Sequence, residues 1–172
     1  FILSACSHAP PRYSISAENN VALKAIGIGN INVSPFTKTA AFNDNCRGTG
    51  GAIAAPDNTG FEGYIQKGFI EELKLAGMFN DNAPKITLSG DIEQLSFAST
   101  RSITGGTWDI GLHVKSSNGK SIHVSEHYEF EAGFVALAAC QKIADYYMQA
   151  TQNVLRKLIT SPDFKSLVTP TN

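Results

Sequence analysis

An α+β fold, in the order β-α-β-β-β-α with a mainly antiparallel sheet and two helices on one of its faces, is predicted by three features of the sequence. Two alternating segments, Trp108 to Lys115 and Lys120 to Phe130, flank a Ser-Asn-Gly turn. Ala136 to Leu158 carries the most regular helical stripe in the chain. The 172 residues, 42% hydrophobic and 17% charged, suffice for one core and fall short of two full domains.

The elements follow in chain order. Val21 to Ile28 and then Ile31-Asn32-Val33, β-branched and partly alternating, read as a first strand that is broken or bulged around Gly27 to Asn30 and ended by Pro35. Thr37 to Asn58 has no clear period and reads as a long loop, with a short strand at Ala52-Ile53-Ala54 and Cys46 as the residue to pin it. Thr59-Gly60-Phe61-Glu62 fits a capping box. Phe61, Ile65, Phe69, Leu73 and Ala76 then share a helical face, and Gly77 is placed to end the helix in a left-handed conformation. Gly63 and Gly68 weaken that helix by about 1 kcal/mol each relative to Ala, which suggests close approach to the sheet.

Ile86, Leu88 and Ile92 have one strand parity and Leu95 and Phe97 the other, so a bulge near Glu93-Gln94 is required to keep all of them inward. Gly105-Gly106 is read as the next turn. The hairpin that follows has a derivable register. A two-residue Asn118-Gly119 turn would set Val114 opposite His123, mixing apolar with polar residues. A three-residue loop, Ser117-Asn118-Gly119, pairs Val114 with Ile122, Leu112 with Val124 and Trp108 with Tyr128 on one face. His113 then lies opposite His123, and Asp109 opposite His127, on the other. Ala136, Cys140, Ile143, Tyr147, Ala150, Val154 and Leu158 define the last helix along the sheet, and Ser161-Pro162 opens a short helical turn that returns Phe164 and Leu167 to the core.

The net charge of -1, with basic and acidic residues interspersed, gives no footprint for nucleic acid. No apolar run approaches the roughly 20 residues of a membrane-spanning helix. Cys46-Arg47-Gly48-Thr49-Gly50-Gly51 lacks the Lys-Ser/Thr ending of a phosphate loop, and Gly27-Ile28-Gly29 has Asn32 where a dinucleotide fingerprint needs glycine. No nucleophile elbow or Ser/His/Asp set appears, and Glu71-Glu72 and Glu129-Glu131 read as exposed positions. No catalytic residue or cofactor is expected. Two cross-strand histidines can reach one metal ion, but no cysteine or carboxylate spacing completes a tetrahedral set. A solvated face is therefore the preferred reading, with His113, His123 and His127 held as candidates for a metal-binding alternative.

Leu3-Ser4-Ala5-Cys6, after Phe1-Ile2, resembles the lipobox of bacterial lipoproteins, in which the cysteine is acylated. Residues 1–20 are then a signal-peptide remnant, lipidation site and flexible tether containing Pro10-Pro11, residues 21–168 the single periplasmic domain, and 169–172 a tail. With Cys6 lipidated, Cys46 and Cys140 remain as a pair for a disulfide in an oxidising compartment; two unlinked buried thiols are the alternative.

Ile86-Thr87-Leu88 with Ile92-Glu93-Gln94-Leu95, Trp108-Asp109-Ile110 leading to Ser117-Asn118-Gly119-Lys120, Tyr128-Glu129-Phe130-Glu131-Ala132, Ile143-Ala144-Asp145 with Leu158-Ile159, and Asp163-Phe164 together resemble the C-terminal half of the YajG-type family of small outer-membrane lipoproteins. The likeness spans roughly residues 86–167 and implies a periplasmic lipoprotein without established catalytic residues. The loop around Cys46 departs from that pattern. The expectation is a non-catalytic, lipid-anchored protein on the periplasmic face of the outer membrane, an accessory or scaffold subunit of a secretion or transport complex. Its partners would be other envelope proteins, and an oligomer or larger assembly fits such a role. A binding module for a lipid or small apolar ligand is the alternative from another class, and a metal-binding protein a further one.

Overall fold

The computed structural model describes residues 7–101 and 103–171. Its elements are strand β1 (Ser7–His8), helix α1 (Ala17–Ile26), strands β2 (Ile31–Val33), β3 (Thr37–Lys38) and β4 (Ala52–Ile53), helix α2 (Gly60–Leu75), strands β5 (Ile86–Arg101), β6 (Gly105–Ser116) and β7 (Ser121–Glu131), and helices α3 (Ala136–Ile159) and α4 (Phe164–Leu167). The expected β-α-β-β-β-α order is carried by β2, α2, β5, β6, β7 and α3. The fold is α+β, with a five-stranded mixed sheet in the order β2-β5-β6-β7 and β3 also on β5. β2 and β3 run parallel to β5, whereas β5, β6 and β7 form a long antiparallel meander.

The meander follows the sequence pattern closely. Val114 faces Ile122, Leu112 faces Val124 and Trp108 faces Tyr128, the register of the three-residue loop, and Gly119 takes a φ of 87°. The β5–β6 register shifts between Ile92 and Gln94, which leaves Glu93 as the extra residue of a bulge. Leu88, Ile92 and Leu95 are consequently all buried. In α3, Cys140, Ile143, Tyr147, Ala150, Val154 and Leu158 are buried on one stripe, and Phe164 and Leu167 of α4 close the core beneath it.

Four expectations are corrected. Val21 to Ile26 belongs to α1 and not to the first strand, because Ser16 accepts from the Asn19 N–H at one end and Gly27, with φ 67°, ends the helix at the other. Thr59 precedes α2 without capping it: its hydroxyl donates to the Pro56 carbonyl after a short 3-10 turn, so the capping box is not formed. Gly68 makes room for Tyr13 rather than for the sheet, since an added Cβ would lie 2.9 Å from the Tyr13 ring. Gly105 and Gly106 lie inside β6, not at the turn that precedes it.

The segment expected as a tether is largely engaged with the body. β1 pairs with β4 in a two-stranded sheet, and the Tyr64 hydroxyl donates to the Pro11 carbonyl. Tyr13 and the Ser16 N–H both donate to the same oxygen of Glu72, at 2.8 Å each. Glu72, read as an exposed position, is fully buried on α2. Its pairing with this segment explains the burial, and desolvation raises its pKa despite those hydrogen bonds.

Candidate functional site

Alternation along β6 and β7 sends Trp108, Ile110, Leu112 and Val114 inward and leaves the intervening residues on the outer face. His113 and His123 stand directly opposite on that face, as the register predicts, and their rings stack with centroids 3.6 Å apart. What the sequence reading missed is the third member. The bulge in β5 turns Glu93 to the same face, where Oε1 lies 3.1 Å from His113 Nδ1 and Oε2 lies 3.2 Å from His123 Nδ1. Spacing along the chain did not show this carboxylate, because Glu93 is 20 residues from His113 and on the neighbouring strand; with it the group has three members, one short of a tetrahedral set. The signal was the parity break that required the bulge.

The three residues differ in freedom. The His113 side chain is 14% exposed and its Nε2 is buried without a hydrogen-bond partner among the described residues, whereas His123 is 63% exposed. Asp91, opposite His113 on β5, is fixed by the hydroxyls of Thr37 and Thr39 on and just after β3. Its slight burial works to raise its pKa, but those hydroxyls and nearby His113 outweigh it and hold the carboxyl below its ordinary value.

His127 is not part of this group. Its Nδ1 lies 2.5 Å from Asp109 and its Nε2 lies 3.0 Å from Glu129, so both ring nitrogens are already engaged by carboxylates. The Asp109 hydrogen bond, followed by that of Glu129, raises the His127 pKa and favours the imidazolium.

A second feature lies at the end of the sheet where β5 turns into β6 and β7 leads into α3. Ile103, Phe134, Val135 and Leu137 are between 57% and 71% exposed there. The backbone beneath them is firmly held. The Ala132 and Gly133 N–H groups donate to the Thr104 carbonyl, and the Arg47 guanidinium donates to the carbonyls of Ser99, Gly133 and Phe134. Next to Arg47, Cys46 is bonded to Cys140 in the first turns of α3, with their Cα atoms 5.9 Å apart. Gly50 is required beside this bond, because an added Cβ would meet Cys140 Sγ at 2.4 Å. Within the Gly-rich run it is Gly50 that packs against the disulfide.

The N-terminal residues arrive at this same end. His8 is buried, with Nε2 2.7 Å from the Gly50 carbonyl oxygen and Nδ1 2.9 Å from Gln141 Oε1. Cys6 and its lipobox-like neighbours lie outside the described residues.

No family model matches the chain, and no curated protein matches it in sequence. Among solved structures, it is similar to a Xanthomonas campestris protein of the family DUF330, with a TM-score of 0.54 and 12% identity over 90% of this chain and 92% of that one. It also aligns with a candidate lipoprotein of Caulobacter crescentus CB15 at a TM-score of 0.45 and 14% identity, over 88% of this chain and 96% of that one. The Xanthomonas likeness bears on the architecture alone.

Proposed function

We propose that this chain is a non-catalytic, lipid-anchored protein of the bacterial cell envelope that works by contact, as an accessory or scaffold subunit of a transport or secretion complex on the periplasmic face of the outer membrane. One observation carries the reading. Ser7, the residue after the lipobox-like Cys6, is already paired with Ala52 in β1, at the end of the molecule that exposes Ile103, Phe134, Val135 and Leu137. An acyl chain on Cys6 would therefore hold this apolar end close to the bilayer and to proteins embedded in it, with no long tether between.

The packing between sheet and helices favours contact over carriage of an apolar ligand. Trp108 is fully buried, with Tyr147, Phe97 and Phe61 ring centroids at 4.8, 5.3 and 5.8 Å, and its indole N–H donates to the Ile143 carbonyl. A carrier would keep that space open.

Mass spectrometry of Cys6 in the membrane-extracted protein, combined with a photo-crosslinker at Phe134, tests the reading. Acylated Cys6 and crosslinks from Phe134 to an envelope protein are expected, while a crosslinker at exposed Lys24 on α1 should capture none. Unmodified Cys6 in a chain that fractionates away from membranes would overturn it.

A further inference from the structure

We infer that Glu93, His113 and His123 form a binding site for a divalent transition-metal ion of the zinc type on the outer face of the sheet. One ligand comes from each of three adjacent strands. The long antiparallel ladders fix His113 and His123 opposite one another, and the β5 bulge delivers Glu93 between them. Bulges re-aim a side chain in this way, and here the re-aimed residue is the one that completes a two-histidine, one-carboxylate set.

The distances suit the ion. One donor atom from each residue can be chosen so that all three lie within 4.8 Å of one another. Zinc bonds of 2.0–2.1 Å at tetrahedral angles place ligand atoms about 3.3–3.4 Å apart. His113 Nδ1 to Oε1 of Glu93, 3.1 Å, and His123 Nδ1 to Oε2, 3.2 Å, are each within a few tenths of an ångström of that edge, and since they end on different carboxylate oxygens one contact must shift for a single oxygen to ligate the ion. Both imidazoles already turn Nδ1 toward one carboxylate, the atoms that an ion would draw together. The two rings stack with centroids 3.6 Å apart, which keeps both imidazoles at one spot on the face. Parallel rings point their lone pairs side by side, so one ring must rotate out of the stack for both to meet one ion; the Glu93 and His123 side chains, 46% and 63% exposed, are free to move, while less exposed His113 stays fixed. Three protein ligands leave the fourth position to solvent or to a donor from a partner.

The second histidine cluster on the same face is a built-in control. His127 presents no free nitrogen, because Asp109 and Glu129 occupy both. A metal site made by any exposed histidine would be lost equally on changing His127; this one should not be.

Calorimetric titration of the purified chain with zinc chloride, in a buffer that does not chelate metal, gives the test. One ion per chain is expected, with affinity reduced at least tenfold in each of Glu93→Ala, His113→Ala and His123→Ala and unchanged in His127→Ala. X-ray absorption of the zinc-loaded chain should show two imidazoles in the coordination shell. His123→Ala and Glu93→Ala alter exposed side chains, so circular dichroism should show both variants folded, and their loss of binding cannot be laid to unfolding. Absence of saturable binding by the parent chain, or equal binding by all four variants, would overturn the site.

Discussion

The two faces of the β6–β7 hairpin are built from alternate residues of the same strands, yet they behave as different materials. Inward, Trp108 is locked among Phe61, Phe97 and Tyr147, and Ile110, Leu112 and Val114 are buried in the same core. Outward, the histidines and carboxylates are held mainly by one another, with His123 and His127 largely in water and His113 mostly covered. Packing density separates the two. An inner side chain cannot change without opening a void, whereas an outer one can be replaced at little cost to the fold and is free to serve chemistry.

The largest effect that should sharpen this contrast is Trp108→Ala. It removes the centre of the aromatic cluster and the hydrogen bond to the Ile143 carbonyl, so a loss of about 3–5 kcal/mol is expected in denaturant unfolding. A loss below about 1 kcal/mol would mean that the inner face is more yielding than its geometry indicates.

Glu72 tests the contrast from within, as a carboxylate on the buried side. Its Oε2 finds no hydrogen-bond partner within ordinary distance among the described residues, and its raised pKa means that the folded state holds the proton more tightly than the unfolded chain does. Stability should therefore fall as pH rises from the ordinary carboxylate range through the raised value. Glu72→Gln keeps an acceptor for Tyr13 and the Ser16 N–H without the charge. It should flatten that pH dependence and change neutral-pH stability by no more than about 1 kcal/mol, while Glu72→Ala, which loses both hydrogen bonds, should cost roughly 2–3 kcal/mol. Urea titrations at several pH values separate the two.

The smallest effect belongs outside. His127→Ala should alter stability by less than about 0.5 kcal/mol. Because the folded pKa of His127 is raised, its contribution is fully present below the ordinary imidazole pKa and is lost as pH rises through the folded value. The parent and the variant should therefore converge in thermal melts at alkaline pH. A large, pH-independent loss would show that the outer face carries structural load after all.

Legibility varied along the chain for a physical reason. In the hairpin, a period of two and a turn with glycine at the left-handed position admit one register, and His113 opposite His123 follows from it. In α1, the apolar run from Val21 fits either a strand or a half-buried helix. The ends that decide it, Ser16 and Gly27, are short-range signals that were there to be found but are easily outweighed by β-branched residues.

By itself, then, the sequence determined what depends on neighbours along the chain: the bulge beside Glu93, the stripe of α3, the close of α2 at Gly77 and the alternation that divides the meander into two faces. Tertiary structure alone decided what depends on distant segments meeting. It brought Cys46 within bonding distance of Cys140, buried Glu72 under Tyr13, laid β2 and β3 parallel to β5, and set Glu93 against two histidines 20 and 30 residues away. Periodicity tells which way a side chain points, but which strand lies beside it is settled only when the whole core closes and the entropy of bringing remote segments together is offset by the surface they bury.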